Sequence, residues 1–467
     1  MVNANIADKA NVADTTNLML WTGILKDGVV GLEVDYRNGT FKRLSSADGL
    51  SQGADFDSLS MYGGRRCCNV ADDGTINAWY GDESYTEDGS NGQVMVYQPK
   101  FYYMVYPVET EPIDTGIGYH LRKANYYVSE KPRPGFRLHP AFYDAEGNEI
   151  EYFLTGVYEG SLYDMSDSAY LLNDEQVMDA TVDKLSSIAN AKPVSGIEQK
   201  LTRANLELMA QNRGTNWHEV STKQIAAEQI LIIIELGLMN SQNAIARGVV
   251  NIADDPLYNC SSLTGSTAAI GNGTGAAPQT INTKGDTTTT ETEDGKVSVR
   301  WRGKENLWGN QWEHVNGINV FGNRSFNGGQ PFVCNNFEFT EDKNSGNYEA
   351  AGFTLPNENG YISAMGYSKQ CDWIFMASEC KGTSALPVGD STGFSENLNG
   401  YRIPRFGGHW SDTVGAGIFA FRPTIGQLYR SRDLGGRVSY TPIAGSAEYE
   451  SSLESWRQQM NQSVSNE

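Results

Sequence analysis

One helix limits the folds open to this chain. Ser221 to Gln224 reads as a capping box: the serine side chain caps a backbone amide and the glutamine reaches back to the Ser221 amide. The helix it opens runs through Ala226 and Ile230 to about Leu238 and is apolar nearly all round at its centre. Such a helix has no face to give to water, so other elements must enclose it. Its most apolar run, Ile230 to Ile234, is bounded by Glu228 and Glu235. That is far short of the roughly 20 apolar residues a membrane span needs, and no membrane insertion is expected. A second helix, Thr202 to Asn212, precedes it and ends at Arg213-Gly214, where the glycine is placed to act as the C′ residue.

The enclosing elements read as strands. Gly28 to Tyr36 and Arg37 to Leu44 flank Asn38-Gly39, the strongest short hairpin signal. Asp72-Asp73-Gly74 and Glu87-Asp88-Gly89 mark further turns. Val94 to Val108 is β-branched and aromatic but contains Pro99, so it is an edge strand, two strands or a bulged strand. Gly265 to Gly295 is a polar loop or a long exposed hairpin. Later strand candidates are Val297–Trp301, Gly317–Phe321, Phe332–Phe339, Ile362–Met365, Trp373–Met376 and Ile418–Phe421. Two helices among many short strands argue for an α+β fold. The 467 residues allow two or three domains at about 150 residues each. The divisions fall at a small β-rich N-terminal region, 1–93, a main domain, 94–440, and a polar tail, 441–467, read as an appended helix or a frayed end.

Composition removes several function classes. With 36 Lys and Arg against 57 Asp and Glu, the net charge of −21 repels phosphate backbones, so nucleic acid is not an expected partner. The cysteines are Cys67, Cys68, Cys260, Cys334, Cys371 and Cys380; none forms a CxxC pair, and adjacent Cys67-Cys68 suits a single zinc ion poorly. Met1 to Thr16 lacks a signal-peptide pattern, so reduced, mostly buried thiols in a protein made in a cytoplasm are expected. A disulfide among the four later cysteines stays open. The five histidines show no HExxH or HxH spacing, and no GxSxG, Walker loop or helix-opening GxGxxG occurs. Gly271-Asn272-Gly273-Thr274-Gly275 has a phosphate-loop composition but neither the preceding strand nor the lysine. Glu83/Glu87 and Asp254/Asp255 read as solvated turn residues. No catalytic residue, metal or cofactor is expected.

The informative residues come late. Trp308-Gly309-Asn310-Gln311-Trp312-Glu313-His314-Val315 is followed by Arg405-Phe406-Gly407-Gly408-His409-Trp410 and then Gly435-Gly436-Arg437-Val438. Each element alone describes a loop-rich fold pinned by tryptophans, tight glycine turns and an internal arginine. In this order, WGNxWE…RxGGxW…GGR resembles the C-type-lectin fold of the formylglycine-generating-enzyme type. That class includes the variable proteins of diversity-generating retroelements, such as phage tropism determinants. The wider chain, about residues 20 to 440, is similar to gut-phage tail proteins through Met61–Cys67, Tyr85–Gly92, Gln98–Tyr103, Gly135–Phe142 and Leu236–Gln242.

The resemblance implies a phage tail receptor-binding protein of the virion, assembled in the bacterial host cytoplasm, with 1–93 serving attachment and oligomerisation. Its partners would be a host cell-surface protein or glycan and other phage tail proteins, and resemblance to tail fibres implies a homotrimer. Trp308, Trp312, Gly407, Gly408, Trp410, Gly435, Gly436 and Arg437 would form the frame. The variable, ligand-binding positions would be His409, Ser411, Asp412, Val414, Ala420, Arg422, Thr424, Gln427, Tyr429, Arg430 and Arg432. Tyr and Arg suit such a surface because they dominate binding hot spots. Tyr429 to Arg432 is a basic island that would favour an anionic receptor patch, unless its arginines pair with internal carboxylates. Oxidase chemistry on the same fold lacks its late cysteine pair, so no enzyme is expected. The competing reading is a phage structural or decoration protein that uses the fold only as scaffold. The tail 441–467 departs from the pattern, since variable regions usually close the chain.

Overall fold

The computed structural model describes residues 23–171, 177–196, 201–283, 287–323, 328–340, 344–393 and 399–465. Among them strands dominate and helices are few. The hairpin forms where Asn38-Gly39 demands it: Val29–Asp35 pairs antiparallel with Thr40–Ser45, Asp35 lies opposite Thr40, and Gly39 takes a φ of 62°. The other edge of Val29–Asp35 pairs with Tyr119–Ser129, which also pairs with Tyr102–Pro112 and Ala364–Tyr367. A second sheet runs in the order Trp217–Glu219, Val438–Tyr440, Tyr152–Gly156, Gln93–Pro99, Arg66–Val70, Ile76–Trp79. The aromatic run 94–108 is therefore two strands in two sheets, parting after Pro99. Strands from both sides of position 93 share each sheet, so that position is no sheet boundary. A third sheet, containing Ile318–Asn323, Asn399–Phe406 and Phe421–Ile425, carries the late motifs. In it Trp312–His314 pairs with Asn399–Phe406 and, in parallel, with Leu434–Gly435.

The enclosed helix is Thr222–Leu236. Both halves of its capping box are present, Gly237 closes it at a φ of 73°, and every residue but Lys223 and Ile225 is buried. It packs on Val29–Asp35 and Tyr119–Ser129. Its glutamates are the ends of buried ion pairs. Glu228 meets Arg65 Nη2 at 2.7 Å and Lys304 Nζ at 2.6 Å; Glu235 meets Arg302 Nε at 2.7 Å and Trp301 Nε1 at 2.8 Å. Burial would raise the Glu228 carboxyl, but Lys304 and Arg65 outweigh it and hold it at about 2.

Some details differ from the sequence reading, and others sharpen it: residues 418–420 lie in a turn, and the strand expected over Ile418–Phe421 is Phe421–Ile425. The shorter helix, Arg203–Gln211, ends at Asn212 with a right-handed φ of −61°, so Gly214 does not serve as a left-handed cap. Trp373–Met376 forms no strand; its side chains fill the core and the strand begins at Ala377. The tail is a docked helix, Ala447–Ser465. Trp456 stacks on Tyr97 at 5.5 Å and donates to the Gly64 carbonyl at 2.8 Å, while Tyr449 stacks on Tyr152 at 5.5 Å. Tyr449, Ser452 and Leu453 are buried and Trp456 is partly buried, a narrow stripe on an otherwise polar helix. All six cysteines are free and buried. Among the described residues no helix is long and apolar enough to cross a membrane.

Candidate functional site

The frame residues are all buried. Arg437 is the node. Its guanidinium grips Glu313 Oε1 through Nε at 2.9 Å and Nη2 at 2.6 Å. It also donates to the carbonyls of Gly156 (3.3 Å), Val157 (2.9 Å), Glu305 (3.1 Å) and Asn306 (3.2 Å). One fork of donors thus ties three other segments, Gly156-Val157, Glu305-Asn306 and Glu313, to its own. Gly407 is needed for its φ of 92°, and Gly408, Gly435 and Gly436 for space. A Cβ on Gly408 would lie 2.6 Å from the Ala416 Cβ, and one on Gly436 would lie 2.5 Å from Glu219 Oε1. Trp308 Nε1 donates to the Arg247 carbonyl at 2.9 Å, and Trp410 Nε1 to Asp254 at 3.0 Å.

Trp312 is buried but carries the surface above it. The guanidiniums of Arg405 and Arg422 lie over its ring at 4.9 and 5.1 Å, and Arg405 also lies 5.9 Å from the Tyr429 ring. His409 Nε2 faces Asp433 at 3.4 Å and Asp412 at 3.8 Å. Burial pushes its pKa down, against the pull of those two carboxylates. Ser411 Oγ lies 3.3 Å from His409 Nδ1, but the Ser411 amide already donates to that nitrogen at 3.0 Å. The contact is thus a local turn two residues long.

The proposed display positions divide into three groups. Val414, Gln427, Tyr429 and Arg430 are exposed. His409, Ser411, Asp412, Arg422, Thr424 and Arg432 are half-buried. Ala420 is fully buried among Trp312, Ile403, Ile425 and Leu434 and cannot meet a ligand. It stands just outside the strand Phe421–Ile425, whose alternation buries Phe421, Pro423 and Ile425, so its burial comes from that cluster and not from the strand's facing. The basic island is smaller than its sequence implies. Arg432 forms a two-pronged pair with Asp254 at 2.7 Å on each arm, and Arg422 meets Asp412 at 3.1 Å. Arg430 is the exposed cation of the group. Arg405, Asp433 and Asp254 hold this surface together, although sequence reasoning did not single them out as site residues. The signal available for Arg405 was its place in the RxGGxW motif.

No protein family and no curated protein matches the chain. Solved structures similar to it include the Major Tropism Determinant P3c variant, 11% identical, with 85% of this chain and 77% of that chain covered and a TM-score of 0.24. The Major Tropism Determinant U1 variant is likewise 11% identical over the same shares, with a TM-score of 0.26. At those scores neither likeness carries an argument about fold or function.

Proposed function

We propose that this chain is a tail-associated phage receptor-binding protein. In this reading 94–440 is a C-type-lectin-type domain that offers a diversifiable, non-catalytic surface to a host cell-surface protein or glycan. The single observation that supports it is the separation of roles within one short stretch. The frame from Trp410 to Arg437 is buried, while Gln427 to Arg430 stands out of it as a ridge, with Leu428 79% and Tyr429 39% exposed. An exposed leucine beside a tyrosine and an unburdened arginine is the composition of a contact surface, held on a rigid base. Virion assembly in the host cytoplasm, contact with other tail proteins and a homotrimeric state belong to the same proposal; free buried cysteines are compatible with it.

Sequencing codons 400 to 440 across related phage isolates tests it. The expected result is substitution concentrated at Ser411, Arg422, Gln427, Tyr429 and Arg430, with Trp410 and Gly435 to Arg437 fixed. A uniformly constant stretch would overturn it and favour a scaffold role in the particle.

A further inference from the structure

A second concavity lies away from the 409–432 stretch and shares no residue with it. It is a surface groove of about 490 Å³, within the size range of small-molecule sites. One wall is aromatic. Tyr163 and Tyr170 sit opposite each other on the antiparallel strands Ser161–Asp164 and Ala169–Leu171, with ring centroids 5.0 Å apart and planes at 73°. Gln93 Nε2 fixes the Tyr170 hydroxyl at 3.0 Å, so this wall is held in place. The other wall is charged. Asp72 is gripped by Arg213 Nη1 at 2.6 Å and Lys184 Nζ at 2.7 Å, and the Arg213 side chain is only 4% exposed. Arg213 is itself locked by the Leu185 carbonyl and the Ser186 hydroxyl. Asn77 and Asn91 also line the groove; each donates its amide NH₂ to a backbone carbonyl, at 2.9 and 2.8 Å, and keeps its oxygen as an acceptor.

We infer that this groove is a saccharide-binding site for one or two hydroxyl-rich sugar units. A sugar has an apolar C–H face and a rim of hydroxyls that both donate and accept. The groove matches each part: the tyrosine wall can cover the C–H face, while Asp72 accepts beside Lys184, which donates, at the spacing of neighbouring hydroxyls. A nucleotide or other polyanion fits less well, because Asp72 already neutralises part of the cationic pair. A purely apolar ligand would strand the ion pair without water. The assignment is independent of the ridge, since a chain that grips its receptor elsewhere can still hold a glycan here.

Saturation-transfer NMR on the full chain tests this, with glucose, galactose, mannose, N-acetylglucosamine and their β-linked disaccharides as probes at millimolar concentration. The expected result is transfer to at least one of these sugars. Tyr163→Phe should retain it, Tyr163→Ala should weaken it at least tenfold with the melting temperature held, and Tyr429→Ala should leave it unchanged. Asp72→Asn gives a second reading, with loss of binding expected even where Tyr163→Ala perturbs the sheet. Absence of transfer from every sugar, or transfer unaffected by both Tyr163→Ala and Asp72→Asn, would overturn the assignment. Loss on Tyr429→Ala with the melting temperature held would overturn it too, by moving sugar binding to the ridge.

Discussion

Arg437 and Arg430 lie seven positions apart and live under opposite rules. Arg437 is fully buried, and its donors are taken up by Glu313 and four carbonyls. Arg430 is exposed, on a ridge whose neighbours Leu428 and Tyr429 also face water. The same residue type is a structural rivet in one place and a free contact group in the other. The difference teaches that tolerance to change in this domain follows the hydrogen-bond inventory of each side chain rather than its position in the stretch. Arg422 and Arg432 stand between the extremes, half-buried and each tied to one carboxylate. A comparison this sharp can be broken by mutation.

The largest effect is expected at the rivet. Arg437→Met keeps much of the volume but takes the cation from the largely buried Glu313 carboxylate and a donor from each of the four carbonyls. Breaking a buried pair in this way costs about 3–5 kcal/mol. Urea unfolding should show that loss or fail to find a folded protein; a loss below about 1 kcal/mol would mean that water reaches the node and the frame is not rigid. Next comes the docked tail. Trp456→Ala removes the stack on Tyr97 and the bond to Gly64, and a partly buried tryptophan should cost about 2 kcal/mol, read as a lower urea midpoint. An unchanged midpoint would show that the helix is not part of the cooperative unit.

These two sites also show how far the sequence could be read. The capping box at Ser221 and the hairpin at Asn38-Gly39 were legible because local chemistry alone decides them. The frame residues were singled out as a set by resemblance; their own chemistry implied only aromatic anchors, tight glycine turns and an internal arginine. Three things were not legible. The fate of Arg432 depends on Asp254, 178 residues away, and no spacing reveals that pair. The burial of Ala420 depends on Trp312, Ile403 and Leu434, which come from other segments and close over it. The docking of the tail depends on Tyr97 and Tyr152, which receive Trp456 and Tyr449; the spacing of Tyr449, Leu453 and Trp456 marks a helical face but does not name those partners.

A comparable effect separates the buried interior from the ridge by pH. Burial holds His139 and His314 at about 3 and His218 at about 4. These folded-state values lie below the ordinary value of 6.5, so the stabilisation is complete above pH 6.5 and is lost as pH falls towards 4 and 3. Between pH 7 and 5 each such histidine should remove about 2 kcal/mol. Neither ring nitrogen of His314 has a hydrogen-bond partner among the described residues, so His314→Phe should fold and should lessen the acid sensitivity by one histidine's share. Parallel unfolding curves at both pH values for variant and parent would contradict this.

The smallest change in stability is expected on the ridge, where the change in binding should be largest. Leu428→Ala, Tyr429→Ala and Arg430→Ala each remove a side chain that faces water. None of the three should move stability by more than about 0.5 kcal/mol. Tyr429 is the informative member because its ring also lies near Arg405, which lies over Trp312. If the ridge is only a display surface, Tyr429→Ala leaves the urea midpoint in place and lowers adsorption to intact cells of the infected strain at least tenfold. If instead Tyr429→Ala unfolds the domain, the Tyr429–Arg405–Trp312 stack belongs to the frame. The boundary between rivet and contact then moves outward, leaving Leu428 and Arg430 as the free edge. Adsorption unchanged by all three substitutions, with stability unchanged as well, would leave the ridge exposed but unused and would count against a receptor-binding role for it.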